Sequence, residues 1–184
     1  LGVTAVPGDY PTIQEAIDAA NGGVVTVAAG VYQENITLKS GVTVQGAGRL
    51  DTTLYGTVQG MGVSGAGLED LSLNGGLSTP GSTGVYLENS SFSIARVAVK
   101  GFTIGLEVFN EGGGGSESLI DGIEVSGTTE DGIVITGANK LTVQNSIVSY
   151  AGHDGIKAIF GAQPSQNLIL TNNLLIANGY GYVS

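Results

Sequence analysis

Residues 152–157 read Gly-His-Asp-Gly-Ile-Lys, and the triplet at their centre, Asp154-Gly155-Ile156, already stands at Asp131-Gly132-Ile133. Working outward from that recurrence, one family of segments sets glycine before an apolar, polar, apolar run. Its members are Gly84-Val85-Tyr86-Leu87, Gly105-Leu106-Glu107-Val108, Gly132-Ile133-Val134-Ile135, Gly155-Ile156-Lys157-Ala158 and Gly181-Tyr182-Val183, starting 21, 27, 23 and 26 residues apart. A second family interleaves at Leu71-Ser72-Leu73, Val97-Ala98-Val99, Ile123-Glu124-Val125, Ile147-Val148-Ser149 and Leu174-Leu175-Ile176. A third, weaker one supplies Phe92 and Ile94, Leu119, Leu141 and Val143, and Leu168 and Leu170. Three short alternating strands per turn of about 25 residues is the period of a parallel β-helix coil. Leucine-rich repeats share the period range, but their leucine and asparagine consensus is absent. Equivalent positions then stack about 4.8 Å apart in ladders, and the chain holds about six or seven coils.

The front end breaks the pattern. Tyr10 to Gly22 carries Pro11, a Thr-x-x-Glu capping box at Thr12 and Glu15, and apolar positions at Ile13, Ala16, Ile17 and Ala20. This predicts a short amphipathic helix lying across the open end of the first coil, where it shields the core and blunts strand edges. The fold expected is therefore all-β: a parallel β-helix with a capping α-helix, one domain over 1–184, with the cap at 1–23 and coils over 24–184. The sequence stops inside a first-family strand, so self-association or further sequence is expected at that end.

A formal charge of −10 on 184 residues, with lysine and arginine numbering 6, argues against nucleic acid, which needs a basic stripe to neutralise phosphates. It argues equally against an anionic membrane surface, and no apolar run approaches the roughly 20 residues of a membrane span. With no cysteine there is neither a disulfide framework nor a zinc-thiolate site. A polyuronic acid would be repelled unless a divalent cation or a local basic spot intervened, which makes calcium the candidate cofactor, whereas neutral glycans face no such penalty.

The segment from Asp9 to Gly48, with Tyr10-Pro11-Thr12-Ile13-Gln14-Glu15-Ala16-Ile17, Val25-Thr26-Val27 and Val44-Gln45-Gly46-Ala47-Gly48, resembles the opening of pectate-lyase-like right-handed β-helix proteins. Later coils are similar to the catalytic modules of mannuronan C5-epimerases: Asp70-Leu71-Ser72-Leu73-Asn74-Gly75, Arg96-Val97-Ala98-Val99, Asn145-Ser146-Ile147-Val148 and Asn172-Asn173-Leu174-Leu175 stand in matching order. The resemblance implies a right-handed coil, a polysaccharide partner and a secreted or cell-surface protein. Those epimerases carry a Gly-Phe-Asp-Pro-His-Glu type motif on the first-family strand. Here Gly105-Leu106-Glu107-Val108-Phe109-Asn110 places Glu107 at the acid and Phe109 at the histidine, so the acid is carried over and the histidine is not.

Enzymes of this fold place substrate along the outward face of the first-family sheet, where Tyr86, Glu107, Val134 and Lys157 fall on successive coils. Uronate elimination and epimerisation need a cation against the carboxylate, a base for the C5 proton and an acid; Lys157, Glu107 and Tyr86 are those types. Phe109 and Tyr86 can stack on sugar faces. His153, the one histidine, precedes the strand beside Asp154 and is a further catalytic candidate, although neighbours in sequence do not pair in triad fashion. Glu130, Asp131 and Asp154 approach one another along the turn, and their repulsion gives a motive for calcium. Asp121, Asn145 and Asn172, two positions before the second-family strands, form an expected Asx ladder at a corner. The run from Glu111 to Glu117 reads as an excursion between strands. Two functions follow: a lyase-like or epimerase-like module acting on a uronate-containing glycan, or a non-catalytic structural or carbohydrate-binding β-helix.

Overall fold

Residue alternation builds three parallel sheets, which a computed structural model describes over residues 3–76, 81–110, 117–137, 140–159 and 167–183. The run from Glu111 to Ser116 lies outside the described residues. Sheet A stacks β1 (Val3–Val6), β2 (Gly23–Val27), β5 (Val42–Gly46), β8 (Ala66–Glu69), β11 (Phe92–Ala95), β14 (Ser118–Asp121), β17 (Leu141–Gln144) and β20 (Ile169–Thr171). Sheet B stacks β3 (Gly30–Tyr32), β6 (Thr52–Leu54), β9 (Ser72–Asn74), β12 (Ala98–Lys100), β15 (Glu124–Ser126), β18 (Ile147–Ser149) and β21 (Leu174–Ile176). Sheet C stacks β4 (Ile36–Thr37), β7 (Val58–Met61), β10 (Thr83–Glu88), β13 (Ile104–Phe109), β16 (Ile133–Thr136), β19 (Asp154–Ile159) and β22 (Tyr180–Val183). The chain visits A, B and C in turn, so each circuit of about two dozen residues is one coil.

The core is a column of inward rungs. Leu68, Ile94 and Ile120 come from sheet A, Leu73, Val99, Val125 and Val148 from sheet B, and Leu87, Leu106, Ile133 and Ile135 from sheet C, all fully buried. At the B–C corner Gly84, Gly105, Gly132 and Gly155, four of the glycines that begin the first family, are squeezed, whereas a β-carbon on Gly181 would meet only Leu175 Cδ1 at 3.9 Å. A β-carbon on Gly132 would collide with Val148 Cγ1 and lie 2.5 Å from the Gly155 carbonyl oxygen, and one on Gly84 would lie 2.7 Å from the Gly105 oxygen. No side chain fits there, which is the physical content of the repeated glycine.

Helix α1 (Ile13–Ala19) caps the column as its pattern requires, with Ile13, Ala16 and Ile17 buried and Thr12 Oγ1 accepting from Glu15 N. The coil completes the cap. Glu34 accepts from Ile13 N and Gln14 N at 2.9 and 3.0 Å, satisfying the first amides of the helix. The Gln14 side chain in turn accepts from Thr37 N at 2.7 Å and donates to Thr37 O at 3.4 Å, standing in for a strand beside β4.

Two expectations about register are corrected. In the pairing of β15 with β18, Ile147 stands opposite Glu124 and is therefore outward, 39% exposed; the inward counterpart of Ile123 is Ser146. The apolar triplet misleads because the inward rung has turned polar, as Asn173 continues on the next coil. At the A–B corner the left-handed backbone rung is Asp70, Arg96, Gly122, Asn145 and Asn172, with φ between +52 and +65, so Asp121 sits one residue early. Its carboxylate still joins the side-chain ladder: Asn172 Nδ2 donates to Asn145 Oδ1 at 2.6 Å and Asn145 Nδ2 to Asp121 Oδ1 at 2.8 Å.

Candidate functional site on the outer face of sheet C

The register of sheet C aligns Gln59, Tyr86, Glu107, Val134 and Lys157 as one outward ladder, so Glu107 and Lys157 stand two coils apart on the same face. A second ladder downstream holds Met61, Glu88, Phe109, Thr136 and Ile159. Tyr86 OH donates to Glu88 Oε2 at 2.9 Å, and Phe109 sits diagonally from Tyr86 on the next coil. The downstream edge is therefore apolar and aromatic in Met61, Phe109 and Ile159, interrupted by Glu88.

The upstream edge carries the charges. Asp131 and Asp154 are 6% and 5% exposed, and the Lys157 ammonium lies 3.1 Å from Asp131 Oδ2 and 3.5 Å from Asp154 Oδ2. Asp131 Oδ1 also accepts from Asp154 N at 3.0 Å, across the coils. Buried carboxylates stacked on neighbouring coils repel, and one shared ammonium is what holds them together. Asp131 beside it raises the Lys157 pKa above its ordinary value, burial opposing and Asp154 assisting, so the ammonium is firmly charged. Lys157 occupies the place between the carboxylates at which a cation was expected. Among the described residues no group of three or more histidine, cysteine or acidic side chains is placed to hold a metal.

Glu107 is different. Burial pushes its carboxyl above the ordinary carboxylate value, and a hydrogen bond with Thr83 only partly offsets this. Its carboxyl is thus disposed to keep a proton.

Of the residues singled out in the sequence, Glu107, Lys157, Tyr86 and Phe109 share this face, and Asp131 and Asp154 join Lys157. Glu130 is exposed, as is His153, and no ion pair joins either to the cluster among the described residues. Sequence reasoning missed Thr83 and the Asp131–Lys157–Asp154 clasp. Strict alternation puts residues three apart on opposite faces of a strand, so Asp154 and Lys157 do not read as partners. The squeezed Gly155-Ile156 step breaks that alternation and brings them together.

The chain matches the right handed beta helix region family over residues 39–184 and belongs to it. Among solved structures it is similar to a mannuronan C-5 epimerase A-module from Azotobacter vinelandii, at 18% identity and a TM-score of 0.60 over 93% of this chain and 68% of that one. It is similar to a suspected glycosyl hydrolase from Parabacteroides merdae, at 17% identity and a TM-score of 0.69 over 95% of this chain and 96% of that one. A third likeness is to the catalytic unit of an α-1,3-glucanase from Streptomyces thermodiastaticus, at 17% identity and a TM-score of 0.59 over 96% of this chain and 41% of that one. At these identities the likeness establishes the fold. No curated protein matches, and among the described residues no helix is long and apolar enough to cross a membrane.

Proposed function

We propose that the outer face of sheet C is a polysaccharide groove, and that its chemistry is acid-assisted hydrolysis of a neutral glycan. The observation that carries this is the pairing of two kinds of carboxyl on one face: Glu107, which burial favours in its protonated form, and the Asp131–Asp154 pair beside a charged ammonium. Glycoside hydrolysis asks for such a division of labour. One carboxylic acid protonates the leaving oxygen, and an ionised carboxylate directs water at the anomeric carbon. Asp131 follows Glu107 by one coil and lies three positions upstream, so their backbone positions stand on the order of 10 Å apart, which leaves room for a sugar and a water between them. Phe109 and Tyr86 supply apolar faces along the other edge. The epimerase and glucanase likenesses support a glycan partner.

Uronate chemistry fits less well. It needs a cation free to meet the substrate carboxylate, and Lys157 is committed to two aspartates on a face that also carries Glu88 and Glu107. The test is incubation with neutral α- and β-glucans, alginate and pectate, with and without calcium, read by reducing ends, by unsaturated-product absorbance and by proton exchange at C5. New reducing ends from a neutral glycan, with Glu107→Gln slower by about 10²–10⁴-fold, is the expected result. Unsaturated or exchanged uronate would replace hydrolysis with proton abstraction. Binding without turnover across the panel would make the groove a carbohydrate-binding surface.

A further inference from the structure

Arg49 and Arg96, the two arginines of this strongly acidic chain, both line a cavity of about 440 Å³ at the A–B corner, which sheet C does not border. Arg96 stands at φ +54, on the rung otherwise filled by Asp70, Gly122, Asn145 and Asn172. Those residue types tolerate the left-handed region, and arginine has no such preference. Lys140, Tyr150 and Ala177 share this backbone region at φ +50 to +56, so what distinguishes Arg96 is where its guanidinium lies.

Part of that use is structural. Nε and Nη2 of Arg96 donate to the two oxygens of Asp70 at 2.6 and 2.8 Å, and Nη2 donates to Glu69 at 3.1 Å, leaving Nη1 without a partner among the described residues. Arg49 is not explained this way. From the turn before β6 it reaches three coils along sheet B to Glu124, at 3.5 Å, and a half-exposed pair of that length contributes little stability. What the reach does is place a second guanidinium on the same cavity. Ile147, the rung beside Glu124, is 39% exposed and adds an aliphatic wall.

Two guanidiniums face three carboxylates, Glu69, Asp70 and Glu124, so the corner offers donors and acceptors in near balance and does not select an anion. A polyhydroxyl ligand matches it: hydroxyls accept from guanidinium edges and donate to carboxylates, while a C–H face lies on Ile147. We propose that this corner is a second carbohydrate-binding site, separate from the sheet C groove, taking a sugar unit of a neutral polymer. The ligand class rests on the glycan reading of sheet C; the location does not.

With only two arginines, nitrogen-labelled protein gives two arginine Nε–H signals, one per guanidinium, assigned with Arg49→Gln. These are followed while maltotetraose, cellotetraose, nigerotetraose and an alginate tetrasaccharide are titrated in. The expected result is a saturable shift of both signals with a neutral tetrasaccharide, kept in Phe109→Ala and weakened about tenfold in affinity in Ile147→Ser, an exposed position that folding tolerates. No shift with any neutral sugar, a shift lost in Phe109→Ala, a shift indifferent to Ile147→Ser, or a response to alginate alone would each overturn the proposal. Reducing-end release with silent arginine signals leaves the groove standing and removes this site. Shifted signals without turnover do the reverse.

Discussion

At the scale of the residue, Glu107 is where protonation matters most. Its folded-state pKa lies above the ordinary value chiefly through burial. Folding therefore favours the protonated acid: the stabilisation is complete below the unfolded-state pKa and is lost as pH climbs through the raised folded value. Glu107→Gln, which cannot ionise, should match the parent's melting temperature at about pH 4 and exceed it at about pH 8, since only the parent then carries a partly desolvated charge. Paired melts check this, and a gap that widens towards acid would sink it. The same titration removes the proton that hydrolysis needs, so turnover should fall as pH rises past that value. Asp70 has the opposite sign. The Arg96 hydrogen bonds hold its pKa below the ordinary value, so its contribution is present at neutral pH and fades as pH drops through the folded value. At a half-exposed pair that contribution is small. Ala177 offers a test of backbone alone. It stands at φ +50 on the corner rung that Gly101 and Gly127 occupy at +72 and +62, and it is exposed. Ala177→Gly should stabilise by about 0.5–1 kcal/mol, the left-handed penalty of an L-residue less the extra entropy of glycine. A shift in urea midpoint at constant slope would report it.

At the scale of the element, the squeezed glycine rung decides whether a strand can turn from sheet B into sheet C. Gly132→Ala should cost about 2–3 kcal/mol, because its β-carbon meets a core valine and a backbone carbonyl that cannot move independently. The control is Gly62→Ala, at φ +64 with open space around the site, where only the backbone penalty of about 1 kcal/mol applies. Equal losses at both positions would mean that crowding at the B–C corner is relieved by shifts of the coil. This rung also explains how much was legible beforehand. The glycine-led recurrence gave the coil, the outward ladder of Tyr86, Glu107, Val134 and Lys157, and the capping helix, because burial on one side imposes a period and a parity that survive in one sequence. What escaped was everything that depends on parity failing. Ile147 was placed one step out because Ser146 had taken the inward rung, and the Asp154–Lys157 contact was hidden by the irregular step at Gly155. The cap's engagement of Glu34 and Gln14 joins residues about 20 apart with no pattern to announce it. Likewise, the roles of Arg49 and Arg96 depend on which coils their side chains reach.

At the scale of the whole molecule, the first and the last described coils are braced by different physics. At the first coil, Ile13, Ala16 and Ile17 lay an apolar lid on the core while Gln14 and Glu34 satisfy backbone groups. Towards the last described coil the inward rungs turn polar. Leu71, Val97 and Ile123 give way to Ser146 and Asn173, and Phe102 gives way through Thr128 and Ala151 to Asn178. Asn173 accepts from Ser146 N and donates to Val143 O, and Asn178 accepts from Ala151 N and donates to Val148 O, at 2.9–3.1 Å. Hydrogen bonds of this kind brace the previous coil but replace apolar burial worth about 1.5–3 kcal/mol per large side chain. Leu168, Leu170 and Leu175 are only partly buried there, and Ile169, Leu174 and Ile176 are exposed. Opening should therefore begin in the coils with polar rungs and spread from there, as expected when each coil rests only on its neighbours. In native-state hydrogen exchange of this chain, the amides of β20, β21 and β22 should open at a free energy on the order of 2–4 kcal/mol below those of β10, β13 and β16. Restoring an apolar rung by Asn173→Val removes two hydrogen bonds and so should not slow exchange in β18, where Ser146 N and Val143 O lose their partner nearby. Uniform protection from β2 to β21 would instead make the column one cooperative unit, and the polar rungs would then be reinforcement of the coil beneath them rather than the start of its unravelling.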